Sequence, residues 1–203
     1  MVEALRPGKE DIQNFLIGGV TVGAAFSAYK QVTAPKTFAV FILFGLITLF
    51  FRELGQRVVA HWMEADVSSE LSREGAVATI LVAAFSYVSV FNLAFLVPVF
   101  SEYSNKRYEH WGKGIDAIWA KREYWLAASG ITTLLLGWFT VYSLGFQNLA
   151  ELTALFTFFQ LLPLDEEKPL CGQLDGAYII MWTGFMWLIF MGTTIIAMIL
   201  SVL

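Results

Sequence analysis

The sequence predicts an all-α integral membrane protein: about six transmembrane or partly inserted helices in a single polytopic domain over residues 1–203. Composition is the first reason. Apolar residues make up 57% of the chain and charged residues 15%, with a mean hydropathy of +0.63, and so little charge does not cover a water-facing surface. The length of the apolar runs is the second. They far exceed barrel strands, and lipid leaves backbone groups no partners outside a helix or a closed barrel.

The runs follow in order. Asn14 to Tyr29 is a first apolar segment rich in Gly and Ala, in which Gly18, Gly19, Gly23 and Ala24 are small packing positions. Lys30 to Lys36 is a turn whose Pro35 fits a helix start. A second helix is expected from about Thr37 to about Trp62. Residues 63–75 are polar and either begin another helix or stay as a loop. Ala76 to Phe100 is long enough to cross with tilt, its Pro98 weakening only the last turn and its Asn92 expected to face another helix.

Ser101 to Glu123 holds Lys106, Arg107, Lys113, Lys121 and Arg122, interleaved with Tyr103, Tyr108, Trp111 and Trp119. Such a mixture is expected to lie at the headgroup boundary. Tyr124 to about Gln147 reads as a further span, and residues 149–163 as a shorter one. Leu164 to Gly176 is a hydrophilic insertion, and Ala177 to Leu203 is a last span without a charge. Which side the termini face stays open, because either short segment can be re-entrant.

Several classes are excluded on composition. No basic tract points to nucleic acid, and the net charge of −4 says little about partners when most of the surface faces lipid. The single cysteine, Cys171, makes no internal disulfide and cannot alone build a zinc site. The polar N-terminus carries acids as often as bases, so insertion is expected to rely on the first span and not on a cleaved signal peptide.

The stretch that points to chemistry closes the second apolar run. A helix through Phe51-Arg52-Glu53-Leu54-Gly55-Gln56-Arg57 puts Arg52 and Gln56 four residues apart on one face at membrane depth, where charge is costly and usually has a use. Phe51 to Trp62 (FRELGQRVVAHW) resembles the Phe-His-Glu-Leu-Gly-His-Arg-x-x-Ala helix of the site-2 protease family of intramembrane zinc metalloproteases. That family's later Asn-x-x-Pro and Leu-Asp-Gly elements are matched by Gln160-Leu161-Leu162-Pro163 and, after the insertion, Leu174-Asp175-Gly176. Between them Ala127 to Leu136 is similar to the family's small-residue span. The resemblance covers roughly residues 37–203 and rests on the order of its motifs.

The family's catalysis uses His-Glu-x-x-His, two imidazoles on the metal and a Glu as general base, with the later Asp as third ligand. Here Arg52 and Gln56 replace the two His and Gln160 the Asn, and among the base and metal-ligand positions only Glu53 and Asp175 keep the family's residues. An always-protonated guanidinium cannot bind zinc. His61 falls on the opposite face of the helix and His110 in the polar stretch, so neither supplies the lost ligands. The resemblance therefore implies a vestigial Glu53, no catalytic residue, no metal at the former ligand positions Arg52, Gln56 and Asp175, and no cofactor.

An ion pair between Arg52 and Asp175 is expected to stand where the zinc stood, with Glu53 joining it or pairing with Arg57 at helical spacing. Two plainer readings compete. Arg52, Glu53 and Arg57 can mark a helix leaving the membrane with snorkelling charges, and Asp175-Gly176 can be a turn capping the last helix.

The expected function is a pseudoprotease: an accessory subunit of a membrane complex, or a binder of single-span partners, in the plasma membrane of a prokaryote. The alternatives are an active metalloprotease with atypical oxygen ligands, and a small transporter or channel subunit whose intramembrane charges line a path.

Overall fold

The computed structural model of this chain describes residues 8–89, 93–104, 116–164 and 173–203. Asn92, Lys106, Arg107, Tyr108, His110, Trp111, Lys113 and Cys171 lie outside them, as does most of the basic-aromatic stretch and of the insertion. The elements run α1 (Lys9–Tyr29), α2 (Pro35–Met63), β1 (Asp66–Leu71), α3 (Arg73–Val88), β2 (Val99–Ser104), α4 (Asp116–Ser143), α5 (Gln147–Gln160), α6 (Asp175–Trp182) and α7 (Gly184–Val202). The fold is mostly helical. Among the described residues, three helices are long and apolar enough to cross a membrane: α2, residues Lys121–Ser143 of α4, and α7.

α1 starts at Lys9, where the Gly8 N–H donates to the Asp11 carboxylate at 3.0 Å and Glu10 and Asp11 fill the first turn, the end of a helix that favours negative charge. The turn after it places Gln31 at φ 50°, and Pro35 opens α2. α1 and α2 then pack at backbone contact. A Cβ on Gly45 would lie 2.5 Å from the Gly23 nitrogen, and one on Gly23 would lie 2.5 Å from the Ile42 Cα, so both positions require glycine.

The structure corrects the helical reading in three places. Residues 66–71 form neither helix nor loop but a strand, paired antiparallel with β2 in the register Val67 to Tyr103 and Ser69 to Ser101. The expected span from Ala76 to Phe100 is not continuous: α3 has 16 residues, and its last turn gives way to extended backbone at Ser89. Pro98 carries the ladder on by accepting the Ser72 N–H at 3.0 Å. Val99-Phe100-Ser101-Glu102-Tyr103 alternates side to side, with Val99, Ser101 and Tyr103 all buried, which is a strand's periodicity and not a helix's. The run from Ala177 to Leu203 likewise breaks at Thr183, whose extended backbone (φ −155°, ψ 108°) separates α6 from α7.

Among the described residues, the two larger of three apolar clusters hold the bundle. Val22, Phe26, Leu49, Leu134, Leu152 and Phe156 join α1, α2, α4 and α5. Leu126, Ile131, Leu161, Tyr178 and Ile179 join α4 to α6 and the end of α5. The polar side chains described next lie between helices so packed.

Candidate functional site

α2 turns three neighbouring polar side chains into the protein. Arg52 and Gln56 are 0% exposed and Glu53 is 7% exposed. An i, i+4 pair shares a face, so Arg52 and Gln56 point together. They point at Asp175, the first residue of α6, itself 1% exposed. Arg52 donates from Nε to Oδ2 and from Nη2 to Oδ1, both at 2.9 Å. This two-point fork is the strong form of the arginine–carboxylate contact.

Three more groups complete the network. Gln56 donates from Nε2 to the Tyr103 hydroxyl at 2.9 Å and to the Asp175 oxygens at 3.1 and 3.3 Å. Tyr103 in turn donates to Asp175 Oδ1 at 3.0 Å, and Ser101 donates to Gln56 Oε1 at 2.8 Å. Burial, and after it the charge of Asp175, pushes the Tyr103 phenol well above its usual pKa. It therefore stays protonated and remains a donor.

The sequence reading placed Tyr103 at a headgroup boundary; the structure buries it at 7% exposure in this network. Ser101 was missed with it. The signal available was the two-residue alternation of β2, hidden inside a stretch that otherwise reads as charged and aromatic.

Glu53 goes elsewhere. It accepts a hydrogen bond from the Ser69 hydroxyl of β1 and pairs with Arg57 at 3.7 Å. Arg57 also reaches Asp11 of α1 at 3.5 Å, and Asp11 accepts the Ser69 N–H at 3.3 Å. Of the two roles open to Glu53, the structure gives it the one with Arg57, in a second cluster joining α1, α2 and β1.

Small residues let the surrounding helices close on this face. A Cβ on Gly130 of α4 would lie 2.7 Å from Gln56 Nε2, and one on Gly55 would lie 2.1 Å from Thr133 Oγ1. Gly176 abuts the end of α5, where a Cβ would lie 2.1 Å from the Leu161 carbonyl oxygen. Gln160, the last residue of α5, is 0% exposed, and neither atom of its amide has a hydrogen-bond partner. Pro163 is exposed just beyond.

The arrangement does not suit a cation. Arg52, the Gln56 amide nitrogen and the Tyr103 hydroxyl all aim hydrogens at Asp175, so its carboxylate is already surrounded by donors. Among the described residues, no three of His, Cys, Asp and Glu cluster to hold a metal ion. His61 is half-buried further along α2. Beside the site, an apolar groove of about 660 Å³ runs between α2, α4 and α7, lined by Leu54, Gly55, Val58, Trp125, Ala128 and Phe190 among others.

No family model, no curated protein and no solved structure matches this chain.

Proposed function

We propose that this chain is a non-catalytic relative of the site-2 proteases, a membrane-embedded pseudoprotease that serves as an accessory subunit or binds transmembrane helices of partner proteins. The observation that carries this reading is the Arg52–Asp175 fork. Arg52, Gln56 and Asp175 are the three positions that the sequence resemblance assigns to metal ligands, and they converge. A guanidinium there puts a fixed positive charge against the carboxylate that would otherwise help bind zinc.

Further support comes from the general-base position. Glu53 is engaged by Ser69 and Arg57 while Asp175 is engaged by Arg52, Gln56 and Tyr103, so the two carboxylates are held by different sets of partners. That counts against an active protease with oxygen ligands. The groove flanked by α2, α4 and α7 borders the same helix face and is lined almost wholly by apolar and small side chains, which suits a partner helix in lipid. On this reading the protein acts in a bilayer, taken to be the plasma membrane of a prokaryote, and needs no cofactor.

Elemental analysis of the purified full-length chain tests the proposal. The expected result is zinc far below one per chain after washing with a mild chelator. Near-stoichiometric zinc refutes it, as does cleavage of a model transmembrane substrate that Glu53→Gln abolishes. Affinity purification in mild detergent tests the accessory role, with a reproducible membrane-protein partner as the expected outcome.

A further inference from the structure

Besides the groove toward α7, a narrower one of about 360 Å³ lies between α2, α4 and α5 and reaches Val141 in the last turn of α4. Phe44, Ile47 and Phe51 line it from α2, and Leu136 from α4. Ile47, Phe51 and Leu136 are exposed, so the groove opens outward. Four threonines share the lining, but each hydroxyl is spent on its own helix. Thr48 donates to the Phe44 carbonyl at 2.9 Å, Thr133 to that of Ser129 at 2.8 Å, and Thr140 and Thr153 to those of Leu136 and Leu149, both at 2.9 Å. No hydroxyl hydrogen is left for a polar guest, so what occupies this length is apolar.

Size selects among apolar occupants. A helix is about 10 Å across, so three turns of one, about 16 Å long, fill roughly 1,200 Å³. The groove is too narrow for that. A single hydrocarbon chain is the thinner object that a bilayer offers.

The polar end of the occupant follows from α2. Lys36, Val40, Phe44, Ile47 and Phe51 succeed one another at helical spacing and share one side of α2, within about 80° of arc. Lys36 stands about 16 Å along the axis from Ile47. One leaflet of hydrocarbon is about 15 Å deep, half the core of a bilayer, so a charge at Lys36 and an apolar groove at Ile47 are spaced as a headgroup and its acyl chain are. Lys36 is exposed at the start of the apolar run, and no acidic residue shares the first turn of α2. Lys30, the other cation of this turn, is paired with Glu151. Among the described residues no ion pair engages Lys36.

We propose that the groove between α2, α4 and α5 holds one acyl chain of an anionic phospholipid whose headgroup lies on Lys36. The hydrocarbon answers the spent threonines and the narrow width, and the anion answers the unpaired cation on the same side of α2. The inference rests on the chain lying in a bilayer and does not depend on any link to proteases.

Native mass spectrometry of the delipidated full-length chain, mixed in mild detergent with equal amounts of phosphatidylglycerol and phosphatidylcholine, tests it. The unaltered chain is expected to retain one phospholipid, and to favour phosphatidylglycerol by about fivefold, the weight of one lysine at an anionic headgroup. Lys36→Gln is expected to erase the preference and keep the lipid. Gly137→Leu fills the groove from α4, where an added Cβ meets nothing within 4 Å, and is expected to abolish retention of both lipids. Thr140→Leu, on the same wall, takes its place should that variant not fold. The proposal is overturned if no lipid is retained, if the unaltered chain or Lys36→Gln shows the same preference as the other, or if retention survives a folded filling variant. A second copy of the chain retained in place of lipid, and lost on filling the groove, also overturns it.

Discussion

Arg52 and Asp175 meet through two parallel hydrogen bonds of 2.9 Å, although 123 residues separate them in the chain and neither is more than 1% exposed. Such a pair joins the middle of the bundle to the start of α6. Against well-packed apolar residues it need not add stability, but each half makes the other indispensable.

Removing one half is accordingly the costly change. Asp175→Ala leaves a buried guanidinium facing no carboxylate, and the expected loss is about 3–5 kcal/mol. Replacing both, with Arg52→Met and Asp175→Leu, is expected to recover most of it. Denaturation midpoints in detergent for the single and double variants measure this, and a double variant as unstable as the single would contradict the argument.

Tyr103→Phe deletes a donor to Asp175 and the acceptor for Gln56. Leaving buried polar groups unsatisfied costs about 1–3 kcal/mol, so a loss of that size is expected. The phenol also predicts a direction with pH. Its folded pKa lies well above the unfolded value of about 10, so its contribution is complete below that pH and is lost as pH rises through the folded value. In a tyrosinate absorbance titration, Tyr103→Phe should match the unaltered chain until the fold gives way. An extra tyrosine ionising reversibly near pH 10 in the folded unaltered chain would show the phenol to be accessible.

Two glycines give opposite expectations for one substitution. Gly45→Ala drives a Cβ to 2.5 Å from the Gly23 nitrogen and forces α1 from α2, and overpacking of that kind costs about 1–3 kcal/mol. Gly137→Ala in α4 meets nothing within 4 Å and is expected to gain about 0.5–1 kcal/mol from helix propensity. Parallel thermal melts would separate them; a destabilising Gly137→Ala would be the surprise.

The proposed ancestry makes a gain-of-binding prediction. Arg52→His combined with Gln56→His restores two imidazoles one turn apart on the face that looks at Asp175, a set suited to zinc. About one zinc per chain is expected for the pair and none for either substitution alone, measured on folded protein by elemental analysis. A well-folded double variant that binds no zinc would count against the family reading.

Much of the architecture was legible in the chain because it rests on local signals. Apolar length marked α2, α4 and α7, Pro35 marked a start, and glycines marked where helices touch. The strands were not legible. Asp66–Leu71 and Val99–Ser104 are short, polar in part, and stabilised by pairing with each other across intervening α3. Neither has a reason to be extended until its partner is present, and β-propensity depends on that context. The break at Thr183 escaped for a similar reason: an uninterrupted apolar run carries no local mark of where tertiary packing will divide it.

The sequence by itself determined that Arg52, Glu53 and Gln56 ride one helix and that Asp175 lies just before the last apolar run, because helical periodicity and hydropathy are properties of neighbouring residues. The resemblance led to the expectation of Arg52 against Asp175, and helical spacing offered Glu53 to Arg57; only the tertiary structure brought Tyr103 to Gln56 and Asp175, and Ser69 to Glu53. A side chain's partner across the core depends on the crossing of helices and the register of strands, and those are fixed by the packing of the whole chain.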